Sequence, residues 1–427
     1  MNITLLGDLW PLDTGEVDIP DFARGTDLCL ANLEGPMYTG NASPWPKAGP
    51  ALRGSARILE CVRPRFGPLV LSLANNHTMD YGLPGLRATV HTCQALGVDV
   101  VGAGDSLSEA QAPRFLDIKG VRVAIVARCE TQFGGAGPSR PGVANIEDSL
   151  CQRVHDLSRE ADAVVVTIHG GSELSPWPSP AWQARLRALV DAGATIVHGH
   201  HSHTPQGYET YGNGVIVYGP GNFVVDPDMW GGDPYHPHAL WSLAVECSLE
   251  SSPPDVSVRT LVVESGPTGP IVRYADNGQF RGHRSYLARC NEALSDPALL
   301  EALWQETAVR MYELFYSQWL GHPSPRANGQ GRRPALAALR RAAADLVKGP
   351  RPLEHEELLL HYHVFSCESH RDAISTALGV LSGEKEDLRS ERTRALADEF
   401  MPWSVPGLTE MYWGGPGRVA RLAEAKS

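Results

Sequence analysis

The chain has 427 residues, with 37 Lys+Arg against 49 Asp+Glu, which gives a formal net charge of −12. This deficit of positive charge argues against nucleic acid as a partner, because backbone binding relies on clustered Lys and Arg. The longest apolar runs are far shorter than the ~20 residues that cross a bilayer. The start, Met1–Asp8, lacks the basic and apolar regions of a secretion signal. We expect a cytoplasmic protein with no membrane contact, and the sequence leaves its oligomeric state open.

Short β-branched runs alternate with helix-like stretches through roughly the first 275 residues, the pattern of βα units on a buried sheet. Strands are predicted at Ile3–Leu6, Leu28–Ala31, Val70–Leu73, Val98–Val101, Val121–Ala127, Ala163–Ile168, Thr195–His198, Val215–Tyr218, Leu240–Cys247 and Ser257–Glu264. Helices are predicted at Pro84–Leu96 and Pro180–Ala192, where proline and glycine mark the two ends. The pattern predicts an α/β fold of layered β-sheets flanked by helices.

Beyond about Tyr286 glycine and strand-like runs become scarce, and long amphipathic stretches take over. The stretches are Ala298–Trp319, Pro334–Val347, Leu353–Phe365, His370–Leu381 and Lys385–Phe400. The segment Gly321–Arg333 is rich in Pro, Gly and Arg and is predicted to be a loop. We therefore predict a catalytic α/β domain over 1–280 and a helical C-terminal extension over 281–427.

Polar side chains with ligand chemistry follow one predicted strand after another. They are Asp8, Asn32, Glu34, Asn75, Asn76, His77, His169, His198, His200, His201, His203, Asn222 and Asp226. An α/β sheet places its ligands at the carboxyl ends of its strands. One such residue alone would more often be a turn or helix-cap residue. Imidazoles and carboxylates together, however, are the ligand set of Zn²⁺, Mn²⁺ and Fe²⁺, so the set predicts a metal site.

Several of these residues lie in short motifs that follow one another in a fixed order. The motifs are GD (7–8), NLEGP (32–36), LANNHTMDYG (73–82), GAG (102–104), IHGGSE (168–173), GHHSHTPQG (199–207) and YGPGNFVVD (218–226). This series resembles the CapA or poly-γ-glutamate-capsule family of the calcineurin-like metallophosphoesterase superfamily. The resemblance covers residues 1–265 and leaves the helical remainder uncovered. It implies a calcineurin-like fold and a metal-dependent enzyme.

The resemblance also implies roles for individual residues. The metal-facing set is Asp8, Glu34, Asn76, His169, His201 and His203, with His77 as the general acid or base beside it. As acid–base pairs we consider His77 with Asp80 or Asp8, and His201 or His203 with Asp226 or Asp8. Asp80 and Asp226 are candidates to orient imidazoles, as carboxylates do behind metal ligands. Asp80 could instead cap the helix that starts near Pro84. His200 is expected beside the ligands, because His201 and His203 share a face if their segment is extended.

One departure from the family pattern bears on the number of metal ions. Dinuclear phosphoesterases carry Asp-x-His on the first strand, whereas this chain has Trp10 in place of the histidine, and Glu34 stands where a bridging Asp is expected. Loss of one ligand weakens the case for two ions that clamp an in-line displacement. A single ion with an oxygen-rich shell becomes plausible, and such a shell suits Ca²⁺ as well as Mn²⁺.

The missing ligand, the expected cytoplasmic location and the helical extension favour one branch of the superfamily. That branch epimerises the C-terminal tryptophan of lasso-peptide precursors, with a peptide as partner, Ca²⁺ as the favoured ion and His/Asp pairs as acid and base. The alternative is a metal-dependent hydrolase of phosphoester or amide bonds with Mn²⁺, Zn²⁺ or Fe²⁺. A third hypothesis is a non-catalytic partner in capsule or poly-γ-glutamate synthesis.

Overall fold

A computed structural model describes residues 1–13, 16–228, 237–320 and 354–401. Its strands are β1 (Asn2–Leu9), β2 (Leu28–Leu33), β3 (Leu69–Ser72), β4 (Asp99–Val101), β5 (Ala103–Gly104), β6 (Arg114–Ile118), β7 (Val121–Cys129), β8 (Gly142–Val143), β9 (Ala163–His169), β10 (Ile196–His200), β11 (Pro205–Tyr211), β12 (Gly214–Pro220), β13 (Asn222–Val224), β14 (Trp241–Ser248), β15 (Asp255–Ser265) and β16 (Pro270–Tyr274). Its helices are α1 (Arg57–Val62), α2 (Gly82–Ala95), α3 (Leu107–Ala110), α4 (Leu150–Leu157), α5 (Pro180–Asp191), α6 (Asn277–Ser295), α7 (Pro297–Met311), α8 (Ser317–Trp319), α9 (His355–Ser366), α10 (Glu368–Ser382) and α11 (Glu391–Phe400). Shorter turns of helix lie at Arg63–Arg65, Tyr312–Tyr316 and Pro237–Ala239.

Two large sheets form the centre of the fold. The first has the strand order β16-β15-β14-β1-β2-β3-β4, with β13 also paired to β1, and the second has the order β11-β12-β10-β9-β7-β6. Strands β1 to β4 are mutually parallel, as are β7, β9, β10 and β12. Antiparallel pairing occurs along β1-β14-β15-β16 in the first sheet, and at β6 and β11 in the second. The parallel strands therefore direct their carboxyl ends to one edge of each sheet, where ligands gather in such folds.

Alternate residues of the second sheet belong to two different cores. On β7, Val123 and Ile125 pack in the core that also contains Leu5 of β1, whereas Ala124 packs with Val154 of α4. This alternation follows from the two-residue period of a β-strand and places one sheet face against the first sheet and the other against helices. The layered α/β architecture predicted from the sequence is confirmed.

The predicted elements agree with most of the observed ones. Every predicted strand coincides with an observed strand to within a few residues, but β5, β6, β8, β11, β13 and β16 were not predicted. Strands β5, β8 and β13 have only two or three residues, and β6, β11 and β16 mix polar residues or proline into the apolar run. Helix α6 was also missed, although Asp276 and Gln279 form a capping box that announces its start. The predicted boundary at residue 280 falls inside this helix.

The C-terminal region is helical, as expected. The prediction for Lys385–Phe400 begins too early, because Ser390 caps α11 with its side chain and the helix starts at the next residue. The predicted helix at Pro334–Val347 and the predicted loop at Gly321–Arg333 lie outside the described residues. Among the residues that are described, no helix is both long enough and apolar enough to cross a membrane. All eight cysteines are free thiols, as their scattered spacing indicates.

A glycine near the end of β1 allows two strands to approach closely. A Cβ on Gly7 would lie 1.8 Å from the backbone oxygen of Gly221, which also accepts the Asp8 N–H at 3.0 Å. We expect Gly7→Ala to lower the free energy of unfolding by about 1–3 kcal/mol or more, because backbone must shift to admit the methyl group. Urea denaturation measures this. The control is Gly282→Ala in α6, where nothing lies within 4 Å and a small gain in stability is expected.

Candidate metal centre

The two sheets bring their carboxyl ends to a common site. Asp8, at the end of β1, is in register with Asn32 of β2 and with Asn222 of β13. In the second sheet His200 of β10 is in register with His169, the last residue of β9. The loops that leave β2, β3 and β10 supply the remaining donors. The site is therefore built from strand ends on both sides of the sandwich, as the sequence predicts.

Imidazole and carboxylate atoms converge in three overlapping groups, in each of which the ligand atoms lie within 4.8 Å of one another. The groups are Glu34–His169–His201, Glu173–His201–His203 and Asp8–Glu34–His203. Among the residues predicted to face the metal, Asn76 joins the set through a 2.9 Å contact between its Oδ1 and His169 Nε2. The structure thus brings the whole predicted metal-facing set together, and it adds Glu173. A divalent cation is the chemical species that such a donor set suits.

The Glu34 carboxylate tests whether a cation fits this site. Glu34 is fully buried, and neither of its carboxylate oxygens accepts a hydrogen bond from a described residue. His203 Nε2 and His169 Nε2 stand 3.5 and 3.8 Å from its Oε1. A buried carboxylate without hydrogen-bond partners is costly, so the arrangement calls for a positive charge beside it. The donors present therefore fit a bound metal ion.

The residues of the cluster shift the pKa values of one another. Although burial lowers it, the pKa of His203 rises to about 10 because Glu34 and Asp8 surround the ring. Burial alone would raise the pKa of Asp8, but hydrogen bonds with His200 and His203 hold it well below its ordinary value. Burial lowers the pKa of His169 and of His201, which keeps both imidazoles neutral and able to donate a lone pair. Burial also raises the pKa of Glu34 well above its ordinary value. Without a cation the cluster therefore holds a proton on His203 and disfavours the charge on Glu34, and a bound metal ion would replace that proton.

His77 is placed as an acid–base residue next to this cluster. Its Nδ1 lies 2.8 Å from Asp80 Oδ2, and Asp80 also receives the Leu52 N–H at 2.6 Å. The ammonium of Lys47 pairs with the other carboxylate oxygen, donates to the Asn76 carbonyl at 3.2 Å and is only 4% exposed. Burial and the nearby Lys47 charge lower the pKa of His77. Asp80 therefore orients the imidazole, and it does not cap α2, which begins at Gly82 with Tyr81 before it.

The histidine-rich turn has a different backbone from the one expected. His201 and His203 have φ of 90° and 55°, so the segment is not extended, and their approach to one site comes from two left-handed residues. His200 lies beside the ligands as predicted, with its Nδ1 2.9 Å from Asp8 Oδ1. Left-handed histidines are sparsely populated, and such backbone outliers cluster at functional sites.

The structure does not bring Asp226 to an imidazole among the described residues. Its carboxylate accepts the backbone N–H of Asp228 at 2.9 Å. Asn222 takes the expected place, with Oδ1 3.0 Å from His203 Nδ1. The reason is the course of the chain: Asn222 lies on β13, next to Asp8, whereas Asp226 follows the end of that strand.

Trp10, which replaces a histidine of the family pattern, is part of the site. Its buried ring meets His203 edge-on, with centroids 5.5 Å apart and planes at 69°. Besides Glu173, sequence reasoning missed two residues: Lys47, and Gln132, whose Nε2 lies 3.4 Å from His201 Nε2. Lys47 lies in a Pro-rich segment without any motif, so no signal in the sequence distinguishes it. Gln132 follows β7, and its position after a strand end was the available signal.

Comparison with known proteins finds a match to the part of the chain that carries most of the site residues. The model of the bacterial capsule synthesis protein PGA_cap family matches residues 17–227. This part of the chain belongs to that family. The CapA-type family identified from the motifs is thereby confirmed. The match includes every predicted metal-facing residue except Asp8, which lies just before it.

Two curated relatives of this chain are described as capsule or PGA biosynthesis proteins. The capsule biosynthesis protein CapA of Bacillus anthracis is 32% identical over 217 residues, covering 49% of this chain and 53% of the relative. The PGA biosynthesis protein CapA of Bacillus subtilis is 37% identical over 161 residues, covering 37% and 42%. The chain thus spans about half the length of these relatives. The crystal structure of a 5'-nucleotidase from Candida albicans aligns with 69% of this chain over 58% of its own length, at 10% sequence identity and a TM-score of 0.34.

Proposed function

We propose that this PGA_cap-family protein is a metal-dependent hydrolase that cleaves amide bonds in a peptidic substrate of the poly-γ-glutamate type. The observation that carries the proposal is the buried Glu34 carboxylate, which lacks hydrogen-bond partners and lies among His169, His201 and His203. The names of the relatives support the substrate class, since they are described as capsule and PGA biosynthesis proteins. Lasso-peptide epimerisation, the function favoured by the sequence, has no support from these relatives.

The residues divide the work of hydrolysis in a simple way. A divalent ion held by Asp8, Glu34 and the histidines would supply Lewis-acid polarisation of the amide carbonyl. In the tautomer with its proton on Nδ1, directed at Asp80, His77 would keep the Nε2 lone pair for a proton from the attacking water. The same nitrogen can then return that proton to the leaving amine. The reaction consumes one water and yields one carboxylate and one amine.

An amide substrate suits the charges of the site better than a phosphoester. Phosphate recognition in proteins relies on Arg and Lys. Among the site residues that the structure describes, Lys47 is the basic side chain, and it is bound to Asp80 and to the Asn76 carbonyl. Asp8, Glu34 and Glu173 give the remainder of the site an acidic character. The uncharged amide bond therefore suits these residues better than a phosphoester, while the α-carboxylates of the polymer need donors away from the acidic side chains.

Epimerisation at a peptide Cα remains a second candidate, since two features favour it. Trp10 removes one ligand of the usual dinuclear pattern, and Asp8 forms a second carboxylate–imidazole pair with His200 at 2.9 Å in addition to the pair at His77. Inversion of a Cα centre needs a base on one face and an acid on the other. The two pairs satisfy this requirement by residue type.

One experiment separates the two reactions. The Mn²⁺-loaded protein is incubated with a γ-linked glutamate oligomer and with a peptide ending in tryptophan, in heavy-oxygen water and in deuterium oxide. Hydrolysis places heavy oxygen in a new carboxylate of the γ-linked oligomer, which mass spectrometry detects. Deuterium at Cα of an intact peptide would instead establish the epimerase. If the oligomer stays uncleaved with every metal tested, the hydrolase proposal is refuted.

A further inference from the structure

The helical C-terminal region reaches the metal centre through the loop 130–133, which follows β7. Glu130 accepts hydrogen bonds from the backbone N–H and the hydroxyl of Ser369, at 3.0 and 2.9 Å. Two residues later Gln132 contacts His201 of the centre, and Phe133 stacks on His363 of α9 with ring centroids 5.4 Å apart and planes at 14°. One short loop thus touches the centre and the helical region with neighbouring side chains.

His363 belongs to a line of hydrogen-bonding rings. The Tyr316 hydroxyl lies 2.6 Å from His370 Nδ1, and His370 Nε2 lies 3.0 Å from His363 Nε2. Burial raises the pKa of Tyr316 well above its ordinary value, so the phenol keeps its proton, and we assign it as the donor to Nδ1. Burial lowers the pKa of His370 to about 4, so this ring is neutral and carries its own proton on Nε2. That proton is donated to His363.

The line fixes the proton of His363 as well. Since His363 Nε2 accepts from His370, the neutral ring holds its proton on Nδ1. This Nδ1 atom is buried and has no hydrogen-bond partner among the described residues. Burial lowers the pKa of His363 well below its ordinary value, so the ring is neutral. A buried N–H donor without an acceptor is expensive, so a ligand that supplies one is favoured.

We propose that His363 is a substrate-binding residue whose Nδ1–H donates a hydrogen bond to a carboxylate of the glutamate polymer held at the metal centre. The inference rests on the proposed function for its substrate class. In a γ-linked polymer every residue keeps a free α-carboxylate next to the linkage, and a hydrogen bond to an ionised acceptor is among the stronger ones. The helical region would then take part in substrate selection.

The test measures binding separately from turnover. Every protein carries His77→Asn to prevent cleavage and is loaded with Mn²⁺, and calorimetry gives the Kd of a γ-linked glutamate hexamer and of its α-carboxamide counterpart. His363→Phe keeps the ring on Phe133 but removes the donor. We expect it to weaken binding of the carboxylate hexamer by about tenfold to a hundredfold. Its effect on the carboxamide hexamer should be much smaller.

Two further variants control for folding. His355→Gln changes an exposed histidine at the start of the same helix and should leave the Kd unchanged. His363→Gln restores a donor and should recover part of the affinity even if His363→Phe folds poorly. Equal Kd values for the parent and both His363 variants would overturn the inference, as would a parent that does not bind the hexamer. Hydrolysis is judged separately by heavy-oxygen incorporation, so failure of one proposal is distinguishable from failure of the other.

Discussion

His77→Asn is expected to lower kcat for amide hydrolysis by about 10²–10⁴, the contribution that a positioned acid–base group makes. His77 is the imidazole whose Nδ1 is bound by Asp80 and whose lowered pKa keeps it neutral at neutral pH. Asparagine preserves much of the polar volume without a titratable nitrogen. The measurement is kcat at saturating substrate, with the metal content of both proteins determined beside it.

The control for this variant is His91→Gln, which changes an exposed histidine on α2 and should leave kcat unchanged. A drop in metal content that matches the drop in kcat would contradict an acid–base role, because it would make His77 a ligand. Since a base must be neutral, activity should fall as pH drops through the pKa of His77. Because burial and Lys47 lower that pKa, the fall should lie below the ~6.5 of a free imidazole.

Lys47→Met is expected to lower the free energy of unfolding by about 3–5 kcal/mol, the typical cost of removing one partner from a buried ion pair. The side chains of Lys47 and Asp80 are 4% and 1% exposed. Without the ammonium, Asp80 stays buried with an uncompensated charge. Urea denaturation gives the stability. Since the charge of Lys47 lowers the pKa of His77, the acid limb of the rate profile should also move to higher pH.

A matched pair on the surface provides the comparison. Lys119 and Asp27 form an ion pair at 2.7 Å, with the lysine 68% exposed. Lys119→Met should cost at most about 1 kcal/mol, since water screens such pairs. The double variant Lys47→Met with Asp80→Asn should regain part of the lost stability, because it removes the stranded charge. An equal, small loss for both lysine variants would contradict a buried ion pair behind His77.

The sequence allowed prediction of the site wherever a residue follows a parallel strand. Asp8, Glu34 and His169 could be placed because β-branched runs mark the strands and parallel strands share one edge. The histidine-rich turn was also recognised, although its left-handed residues at His201 and His203 were not. Those backbone angles depend on the surrounding packing and have no local sequence signal for a residue other than glycine.

Residues brought to the site from afar could not be predicted. Lys47 reaches His77 from a Pro-rich loop, and His363 reaches Phe133 from a helix more than two hundred positions away in the sequence. Asp226 was selected because it follows a strand and carries a carboxylate, yet the register of β13 beside β1 gives the position to Asn222. Pairing between distant strands decides such cases, and hydrophobic periodicity does not encode it.

The most direct test of a metal centre at the strand ends is the metal content of the purified protein. After dialysis against Mn²⁺ and then metal-free buffer, elemental mass spectrometry should find at least one ion per wild-type chain. Glu34→Gln should retain little, because the buried carboxylate is lost from the donor set. Glu60→Gln, at an exposed glutamate of α1, should retain as much as the wild type. A wild-type chain without metal, or equal metal content in the wild type and Glu34→Gln, would contradict the account.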